Sequence, residues 1–523
     1  MRRIFLYGRT IRHLKLKQIY YQLYNRFKLK PALKSYLPKK ADFSFLNFSY
    51  NVPVTAVTET SSFTFLNLNK DFETIDWAFE GYGKLWNYNL QYLNYLHQTD
   101  ISLTRKLQWL HEIGEWLINN RLKPEPYPIS LRGINIIRFL SENKIADNQI
   151  EQQTYAQLSY LYENIEYHIL GNHLLENAFS LLMGGHAFNN INWQQKGKDI
   201  LYKELEEQIL DDGAHFELSP MYHQLMLFRV LELIDWYQKA NNIDVGFLQF
   251  VKNKAGLMLG WLTQVTFANG NIPHVNDATD GIAPSTDQLL QFAQLLNIKP
   301  TIYSLKGSGY RKFENENYEC IVDVGQIGPS YQPGHSHADT FSFIVNYNNG
   351  EFLIEAGTST YQLGAKRTFE RSTAAHNTVV IQNKDQSEVW SGFRVGKRAN
   401  VNILKDTHAI VSAEHDGYKD AFKVTHNREF EFTGANIIIK DKINSSRHLS
   451  GKAYFHFNED VKVGKTGEFT YSLNDANAHF IGPKHVAVEA FEYATGYNSY
   501  KQGKVIIAEF EHELQSVISF AVN

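Results

Sequence analysis

The sequence predicts an α+β protein with a helical domain followed by an antiparallel β domain. The chain has 523 residues, whereas a single hydrophobic core stops growing at roughly 250–300 residues. Apolar residues recur at helical spacing from about residue 85 to 300 and alternate with a period of two after about residue 305. We therefore expect a helical domain at 61–304 and a β domain at 305–523, preceded by an N-terminal extension at 1–60.

The N-terminal extension is basic. Residues 1–40 contain twelve Lys and Arg and no Asp or Glu, so the rest of the chain carries 40 basic and 55 acidic residues. Its apolar residues predict an amphipathic helix, with a stripe formed by Leu16, Ile19, Tyr20, Leu23 and Phe27. Two interpretations remain open. The helix either docks on its own protein with Lys and Arg in solvent, or contacts an anionic membrane, an acidic polymer or an acidic partner.

The helical domain should consist of successive helical hairpins. Leu103, Leu107, Leu110, Ile113 and Leu117 form one apolar stripe. Comparable stripes run through 152–170, 173–188, 196–210, 220–240 and 245–266. Hairpins in series can close into a toroid or stack as a solenoid, and the spacing fits both.

The β domain should be a sandwich or a pair of stacked sheets. Short alternating runs such as YECIVDVG, TFSFIVNY, NIIIKDKI and KVIIAEF are separated by turn residues. Asn349-Gly350 predicts a hairpin, because a type I′ turn needs positive φ at both central positions.

Several protein classes are excluded by composition. Cys320 is the only cysteine, which rules out an intrachain disulfide and CxxC metal motifs and favours a reducing compartment. No run of about 18 apolar residues predicts a membrane span, and the N-terminus lacks the apolar core of a secretory signal. We expect a cytoplasmic protein.

Two polar clusters in the helical region contain candidate catalytic residues. In GNHLLEN, Asn172, His173, Glu176 and Asn177 lie near a helix start at a spacing that lets them share one surface. In DGAHFELSPMYHQ, Ser219-Pro220 predicts a helix start and places Tyr222 in the first turn. The positive helix end should favour a phenolate there.

A third cluster offers metal ligands. His335 and His337 are separated by one residue in PGHSHADTFSF, and Glu355 and His376 follow within about forty residues of His337. Imidazole and carboxylate groups are ligands that zinc prefers, although hairpin register alone does not bring them together.

Taken in order, these segments resemble the heparinase II/III family of polysaccharide lyases, which is also similar to some alginate lyases. The resemblance rests on PYPISLRGIN, NHLLEN, SPMYH, GHSHAD, EAGT, RSTAAHNTVV and SEVWSGFRVGKRA. It implies an incomplete (α/α) toroid followed by an antiparallel β-sandwich. It also implies β-elimination at a uronic acid of an acidic polysaccharide, such as a glycosaminoglycan or alginate.

The resemblance assigns roles to the candidate residues. Asn172 and His173 would neutralise the uronate carboxylate. Tyr222 would serve as the acid, and also as the base in a syn elimination, whereas His335 would be the base for the other stereochemistry. Glu176 would orient His173 or bind substrate. Independently of the resemblance, Arg132, Arg367 and Arg371 are candidates for binding sulfate or carboxylate, with a surface or structural role as the alternative for each. His337, Glu355 and His376 would bind a structural zinc, with Glu355 at a position where the family pattern has Asp.

Family members without a signal peptide resemble proteins associated with surface-polysaccharide production. We expect an acidic polysaccharide as partner and no nucleic acid, while contact of the extension with an anionic membrane is one of its two open interpretations. A uronate C5-epimerase and a non-catalytic polysaccharide-binding or assembly factor remain alternatives. The acid and base together favour an enzyme over the binding factor.

Overall fold

The computed structural model describes residues 2–28, 33, 40–44, 46, 48–445 and 447–521. Helices occupy three parts of the chain: the N-terminal extension, the region predicted to be helical, and two short insertions between strands. They are α1 Arg2–Ile11, α2 Leu16–Phe27, α3 Lys84–Tyr92, α4 Leu103–Ile118, α5 Pro126–Glu142, α6 Asn148–Glu163, α7 Gly171–Ala187, α8 Ile191–Gln208, α9 Pro220–Tyr237, α10 Val245–Val265, α11 Thr286–Leu295, α12 Ala365–Glu370 and α13 Lys419–Phe422.

The helices from α3 to α11 form two layers. Helices α3, α5, α7 and α9 contact one another in sequence as an inner layer, while α4 packs against α6 and α8 against α10 outside it. Side-chain caps fix several helix starts, including Ser102 for α4, Asp147 for α6 and Ser219 for α9. Alternating inner and outer helices are common to an (α/α) toroid and a solenoid, so this layering confirms the series of helical hairpins.

Strands begin with a small hairpin at the start of the predicted helical domain, before its first helix, and then fill the C-terminal part of the chain. They are β1 Ser62–Phe65, β2 Leu68–Asp71, β3 Tyr310–Glu314, β4 Tyr318–Asp323, β5 Phe343–Tyr347, β6 Gly350–Leu353, β7 Val379–Ile381, β8 Val389–Trp390, β9 Arg394–Val395, β10 Val401–Asp406, β11 Ile410–His415, β12 Thr425–Phe432, β13 Asn436–Asn444, β14 Gly451–Phe457, β15 Val463–Lys465, β16 Thr470–Leu473, β17 Ala476–Ile481, β18 His485–Gly496, β19 Ser499–Phe510 and β20 Glu513–Ser519. The predicted change from helix to strand near residue 305 falls between α11 and β3.

Two large antiparallel sheets form the C-terminal β-sandwich. One has the strand order β10-β11-β12-β13-β20-β17-β16-β15, and the other β18-β19-β14-β6-β5-β4-β3 with β7 also paired to β14. Aromatic rings pack between the sheets, with Phe313 stacked on Phe432 at 3.8 Å and Phe343 against Phe430 at 5.3 Å between ring centroids. A β-sandwich is therefore confirmed.

The predicted hairpin exists, but its turn lies one residue earlier. Tyr347 pairs with Gly350, so Asn348 and Asn349 are the central turn residues, with φ of 51° and 60°. Asparagine tolerates the left-handed conformation, so the turn does not need the glycine.

The N-terminal extension docks on both domains. Arg9 in α1 forms a bidentate ion pair with Glu388 of the β domain, with N–O distances of 2.7 and 2.6 Å. Lys15, just before α2, forms an ion pair with Glu207 of α8, and the amide of Gln18 donates to the carbonyl of Ile169. The extension thus bridges the two domains. Among the described residues, no helix is both long and apolar enough to cross a membrane.

Candidate active site

A cleft of about 910 Å³ lies where the helical domain, the β domain and the extension meet. The first turns of α3, α5, α7 and α9 open onto it and contribute Lys84, Tyr127, Asn172 and Tyr222. Helix N-termini carry unpaired N–H groups and partial positive charge, so this wall favours anions. The opposite wall includes Gly334, His335, Tyr361, Phe393, Arg394 and Arg398 from the β domain, with Thr10, His13, Gln18 and Gln22 from the extension.

The cleft is cationic. Of the described residues that line it, none is Asp or Glu, whereas Lys84, Arg394 and Arg398 are present with several histidines. Lys84 is paired with Glu125 at 2.8 Å, but Arg394 and Arg398 form no ion pair within the described part of the chain. Burial, together with the charge of Arg12, lowers the pKa of Arg398 to about 10. Positive charge without acidic partners suits an acidic ligand.

Tyr222 and His335 face each other across the domain boundary. Their rings stack with centroids 3.9 Å apart and an interplanar angle of 13°. The Ser219 hydroxyl accepts the Tyr222 N–H at 3.3 Å, which fixes the first turn of α9. The Tyr222 hydroxyl lies 3.0 Å from that of Tyr361. The structure therefore brings the predicted acid and base together.

The prediction of a readily formed phenolate is wrong for the free protein. Burial raises the pKa of Tyr222 well above its ordinary value, and the nearby Tyr497 adds to the rise. The hydrogen bond with Tyr361 acts in the opposite direction but does not outweigh burial. Tyr222 is accordingly a protonated phenol, suited to donate a proton.

Glu217 holds His335 in place. Its Oε2 lies 2.6 Å from His335 Nδ1, and its side chain is buried. Burial alone would raise the pKa of Glu217, but the His335 imidazole and the nearby backbone N–H of Asn172 bring it below the ordinary glutamate value. A carboxylate at Nδ1 selects the tautomer with its proton on that nitrogen and leaves Nε2 as the proton acceptor.

Asn172 and His173 occupy the first turn of α7, beside the cleft. Leu170 and Gly171 precede them with positive φ of 67° and 58°, and a side chain at Gly171 would collide with Gln332. This tight approach aims the start of α7 at the cleft. Asn172 Oδ1 is buried with no hydrogen-bond partner among the described residues.

His173 is positioned by Glu166, not by Glu176. Its Nδ1 lies 3.1 Å from Glu166 Oε1, and its ring stacks on Tyr127 at 4.1 Å between centroids. Glu176 is buried and pairs with Arg229 at 3.1 Å, away from the cleft lining. Glu176 lies three positions after His173 in the helix, but its side chain turns toward α9, where Arg229 compensates its charge.

The structure does not place the three candidate arginines at the cleft surface. Arg132 is fully buried and donates to Gln157 and the carbonyl of Gln91, and burial lowers its pKa to about 9. Arg367 forms a bidentate pair with Asp277 at 2.5 and 2.6 Å. Arg371 donates to the carbonyls of Ser336 and Ser391. These guanidinium groups hold the scaffold and are not free to bind a sugar acid.

The three predicted metal ligands cluster in the interior of the β domain. His376 Nδ1 lies 2.9 Å from Glu355 Oε2, and the rings of His337 and His376 have centroids 5.2 Å apart. His337 Nε2 instead contacts Asp277 Oδ1 at 2.9 Å. His337 Nδ1 and His376 Nε2 are buried with no hydrogen-bond partner in the described part of the chain.

Unpartnered buried imidazole nitrogens beside a carboxylate fit a zinc site in their donor chemistry. The three side chains do not converge tightly, however. Within the described residues, only His448, Glu511 and His512, on the surface, bring three such ligand atoms within 4.8 Å of one another.

Four residues near the chemistry are absent from the sequence prediction: Glu166, Glu217, Tyr127 and Tyr361. Glu217 lies inside DGAHFELSPMYHQ, two residues before the cap residue Ser219. Its place in the same polar cluster as Tyr222 was the sequence feature that could have indicated a role in the site. Tyr361 follows EAGT in a loop with no periodicity, so only the fold shows that it reaches Tyr222.

Comparison with known families covers most of both domains. Residues 138–302 match the family described as heparinase II/III N-terminus, and residues 298–521 match heparinase II/III-like, C-terminal. A heparin-sulfate lyase of Bacteroides stercoris is 24% identical over 316 residues, which are 54% of this chain and 45% of that protein. A heparin-sulfate lyase of Pedobacter heparinus is 24% identical over 267 residues, 44% of this chain and 38% of that protein. The chain thus matches less than half the length of these relatives.

Solved structures share the fold. The crystal structure of heparinase III has a TM-score of 0.67 at 15% identity, covering 96% of this chain and 89% of that one. A chondroitin AC lyase of Streptomyces coelicolor A3, solved with chondroitin sulphate, has a TM-score of 0.56 at 8% identity, covering 83% and 74%. These likenesses confirm the incomplete toroid followed by a β-sandwich.

Proposed function

This chain belongs to the heparinase II/III family, and from that premise we propose that it is a polysaccharide lyase that cleaves a uronic-acid-containing polysaccharide by β-elimination. The stacked pair of Tyr222 and His335 carries the proposal, because it places an acid and a base side by side in a cationic cleft. Asn172 and His173 line the same cleft from the helical domain.

Elimination begins with the carboxylate next to the C5 proton. That proton is weakly acidic until hydrogen-bond donors neutralise the carboxylate and stabilise the enolate-like intermediate. The Asn172 amide and the His173 imidazole supply such donors from the positive end of α7. Glu166 keeps the His173 ring oriented for this task.

Proton removal and bond cleavage then follow. His335 Nε2 takes the C5 proton, and Glu217 stabilises the imidazolium that forms. The electron pair of the C5–H bond becomes the C4–C5 double bond as the C4–O4 bond breaks. Tyr222 donates its phenolic proton to O4. After product release the His335 imidazolium loses the C5-derived proton and the Tyr222 phenolate regains one, through exchange with solvent.

An acidic substrate is supported by the charge of the cleft. Arg394 and Arg398 face it without acidic partners among the described residues, and the first turns of four helices point at it. A sulfated or non-sulfated glycosaminoglycan such as heparan sulfate, or alginate, meets this requirement. The predicted cytoplasmic location and link to surface-polysaccharide production stay predictions, which cell fractionation and gene deletion would test.

We also propose that His337, Glu355 and His376 bind a structural zinc. Such an ion would join the loop that carries His335 to the strand-end Glu355 and to the segment before β7. It would hold the His335 loop in a fixed position without contacting the sugar.

Ultraviolet absorbance of the products tests the lyase proposal directly. Purified protein should release an unsaturated uronate, which absorbs in the ultraviolet, from at least one member of a uronate-glycan panel. The Tyr222→Phe variant serves as the matched negative control.

A C5-epimerase shares the first proton transfer but forms no double bond. Exchange of the C5 proton with deuterated solvent, without new absorbance, would therefore favour the epimerase. Binding with neither exchange nor absorbance would favour the assembly factor. Either result would contradict the lyase proposal.

A further inference from the structure

Helix α2 is docked with its apolar stripe facing outward. Its inward side is mixed: Gln18 is buried and bonded to the carbonyl of Ile169, Gln22 faces the cleft, and Tyr21 packs on Tyr167 with ring centroids 4.9 Å apart. The large apolar side chains on the other side are exposed to solvent, namely Leu16 (85%), Tyr20 (61%), Leu23 (55%), Tyr24 (45%) and Phe27 (82%). Their spacing of four, seven, eight and eleven residues from Leu16 places them on one helix face.

The extension does dock on its own protein, as one of the two interpretations held, but Leu16, Tyr20, Leu23 and Phe27 face away from the docked side. Soluble monomers rarely leave such a row of large apolar side chains uncovered, and uncovered rows mark interaction sites. Helix α1 also has exposed apolar side chains, namely Phe5 (64%) and Ile11 (49%).

Charge identifies the kind of partner. Arg26 in α2 and Arg12 in the turn between α1 and α2 are exposed and form no ion pair with any residue that the structure describes. Residues 1–40 contain no acidic residue at all. A second copy of the chain would bring an equally basic segment against this one, and like charges would repel. An apolar stripe flanked by arginines instead suits an anionic lipid surface.

We propose that α2 binds the interface of an anionic membrane through Leu16, Tyr20, Leu23 and Phe27, with Arg12 and Arg26 contacting lipid headgroups. Because the opposite side of the same helix lines the cleft, membrane binding holds the cleft within about one helix diameter, ~10 Å, of the lipid surface. The inference rests on the extension alone and does not depend on the lyase proposal.

Vesicle co-sedimentation of the full chain tests the membrane proposal. The parent should bind vesicles that contain phosphatidylglycerol, bind pure phosphatidylcholine vesicles more weakly, and dissociate as salt is raised. A Leu16→Gln/Phe27→Gln double variant should bind at least ~10-fold more weakly, because two apolar side chains no longer enter the lipid. Arg26→Gln should weaken binding by roughly fivefold.

Two controls separate the stripe from general effects. Ile191→Gln changes an apolar side chain that is 70% exposed on α8, so it should leave vesicle binding unchanged. Melting temperatures of all variants should match the parent, because the altered side chains are in solvent. Equal binding by parent and double variant, or no binding by the parent, would overturn the proposal. A parent dimer that the double variant converts to a monomer would assign the stripe to self-association and overturn it as well.

Discussion

At the scale of single residues, the site depends on two groups with opposite protonation tasks. Tyr222 is a neutral phenol because burial raises its pKa, and His335 is oriented as an acceptor because Glu217 occupies its Nδ1. Their rings stack, so the proton donor and the proton acceptor lie side by side in the cleft. This arrangement suits a reaction at adjacent atoms of one sugar.

Removing the Tyr222 hydroxyl tests the acid. Tyr222→Phe should lower kcat by ~10²–10⁴-fold with little change in KM, because the proton is needed only as the C4–O4 bond breaks. Initial rates by ultraviolet absorbance measure this effect. Tyr303→Phe, on an exposed tyrosine outside the cleft lining, is the matched control and should keep full activity. Parental rates from a normally folded Tyr222→Phe protein would remove Tyr222 from the mechanism.

Replacing Glu217 tests the orientation of the base. Glu217→Gln should lower kcat without weakening substrate binding, because the amide no longer fixes the His335 tautomer or stabilises the imidazolium. Kinetics and direct binding of substrate to the variant separate the two effects.

The same variant should change how stability depends on pH. The pKa of Glu217 is lower in the folded protein than in the unfolded chain, so the unfolded chain takes up its proton first as pH falls. The stability that Glu217 contributes is therefore complete above about pH 5 and is lost as pH falls through its folded pKa. Chemical unfolding of parent and variant at several pH values should show their difference in unfolding free energy shrinking on acidification. A difference that grows toward low pH would contradict the assignment.

At the scale of elements, the donor groups around the proposed zinc come from three segments of the β domain. His337 precedes β5, Glu355 follows β6, and His376 precedes β7. A bound ion would fix these segments relative to one another.

Chelation should expose that role. Removing metal from the parent should lower its melting temperature by several degrees, on the order of 2–4 °C per kcal/mol for a domain of this size. His376→Ala should lower it similarly and abolish the response to chelator. His448→Ala, in the surface cluster, is the control and should leave both unchanged. Elemental analysis that finds no metal, with no chelator effect, would contradict the zinc proposal.

Elements also show where sequence patterns succeed and where they fail. The spacing of apolar residues and the positions of turn residues predicted the helical domain and many strands. Burial of one face of a helix or strand imposes this spacing. Helix α5 lies in the span predicted to be helical but in none of the stripes identified there, and Pro126 and Pro128 lie in its first turn, where proline is tolerated. The amphipathic pattern of α2 predicted the helix but not its direction, because spacing does not specify which face meets the protein.

Site residues divide in the same way. Asn172, His173, Tyr222 and His335 all line the cleft as predicted. The roles expected for Glu176 and the arginines were not borne out, because their partners are distant in sequence: Arg229 for Glu176 and Asp277 for Arg367. An arginine can pair with a carboxylate of the protein interior or with an acidic group of a substrate in a cleft. The sequence does not distinguish these two partners, whereas the fold does.

At the scale of the whole molecule, charge is separated between the cleft and the rest of the surface. Cations line the cleft and fill the extension, while the chain outside residues 1–40 has 55 acidic and 40 basic residues. An acidic polymer is thus attracted to one region and repelled by much of the remainder.

Ionic strength should therefore act mainly on capture of substrate. Raising salt should increase KM for a long acidic polysaccharide, with a smaller effect on kcat. Arg398→Gln should raise KM at low salt and flatten its salt dependence, because one cleft cation is lost. Lys252→Gln, outside the cleft lining, is the control. A salt response that is the same in all three proteins would contradict a role for Arg398 in capture.

The bond between Glu217 and His335 joins the two domains, since one partner precedes α9 and the other precedes β5. In the proposed lyase mechanism, turnover depends on the docking of two domains that have separate hydrophobic cores. A small separation of the domains would disorient His335 while every helix and strand remains formed. In a denaturant titration, activity should disappear before far-ultraviolet circular dichroism changes. Loss of lyase activity would then report partial separation of the two domains, a state in which far-ultraviolet circular dichroism is unchanged.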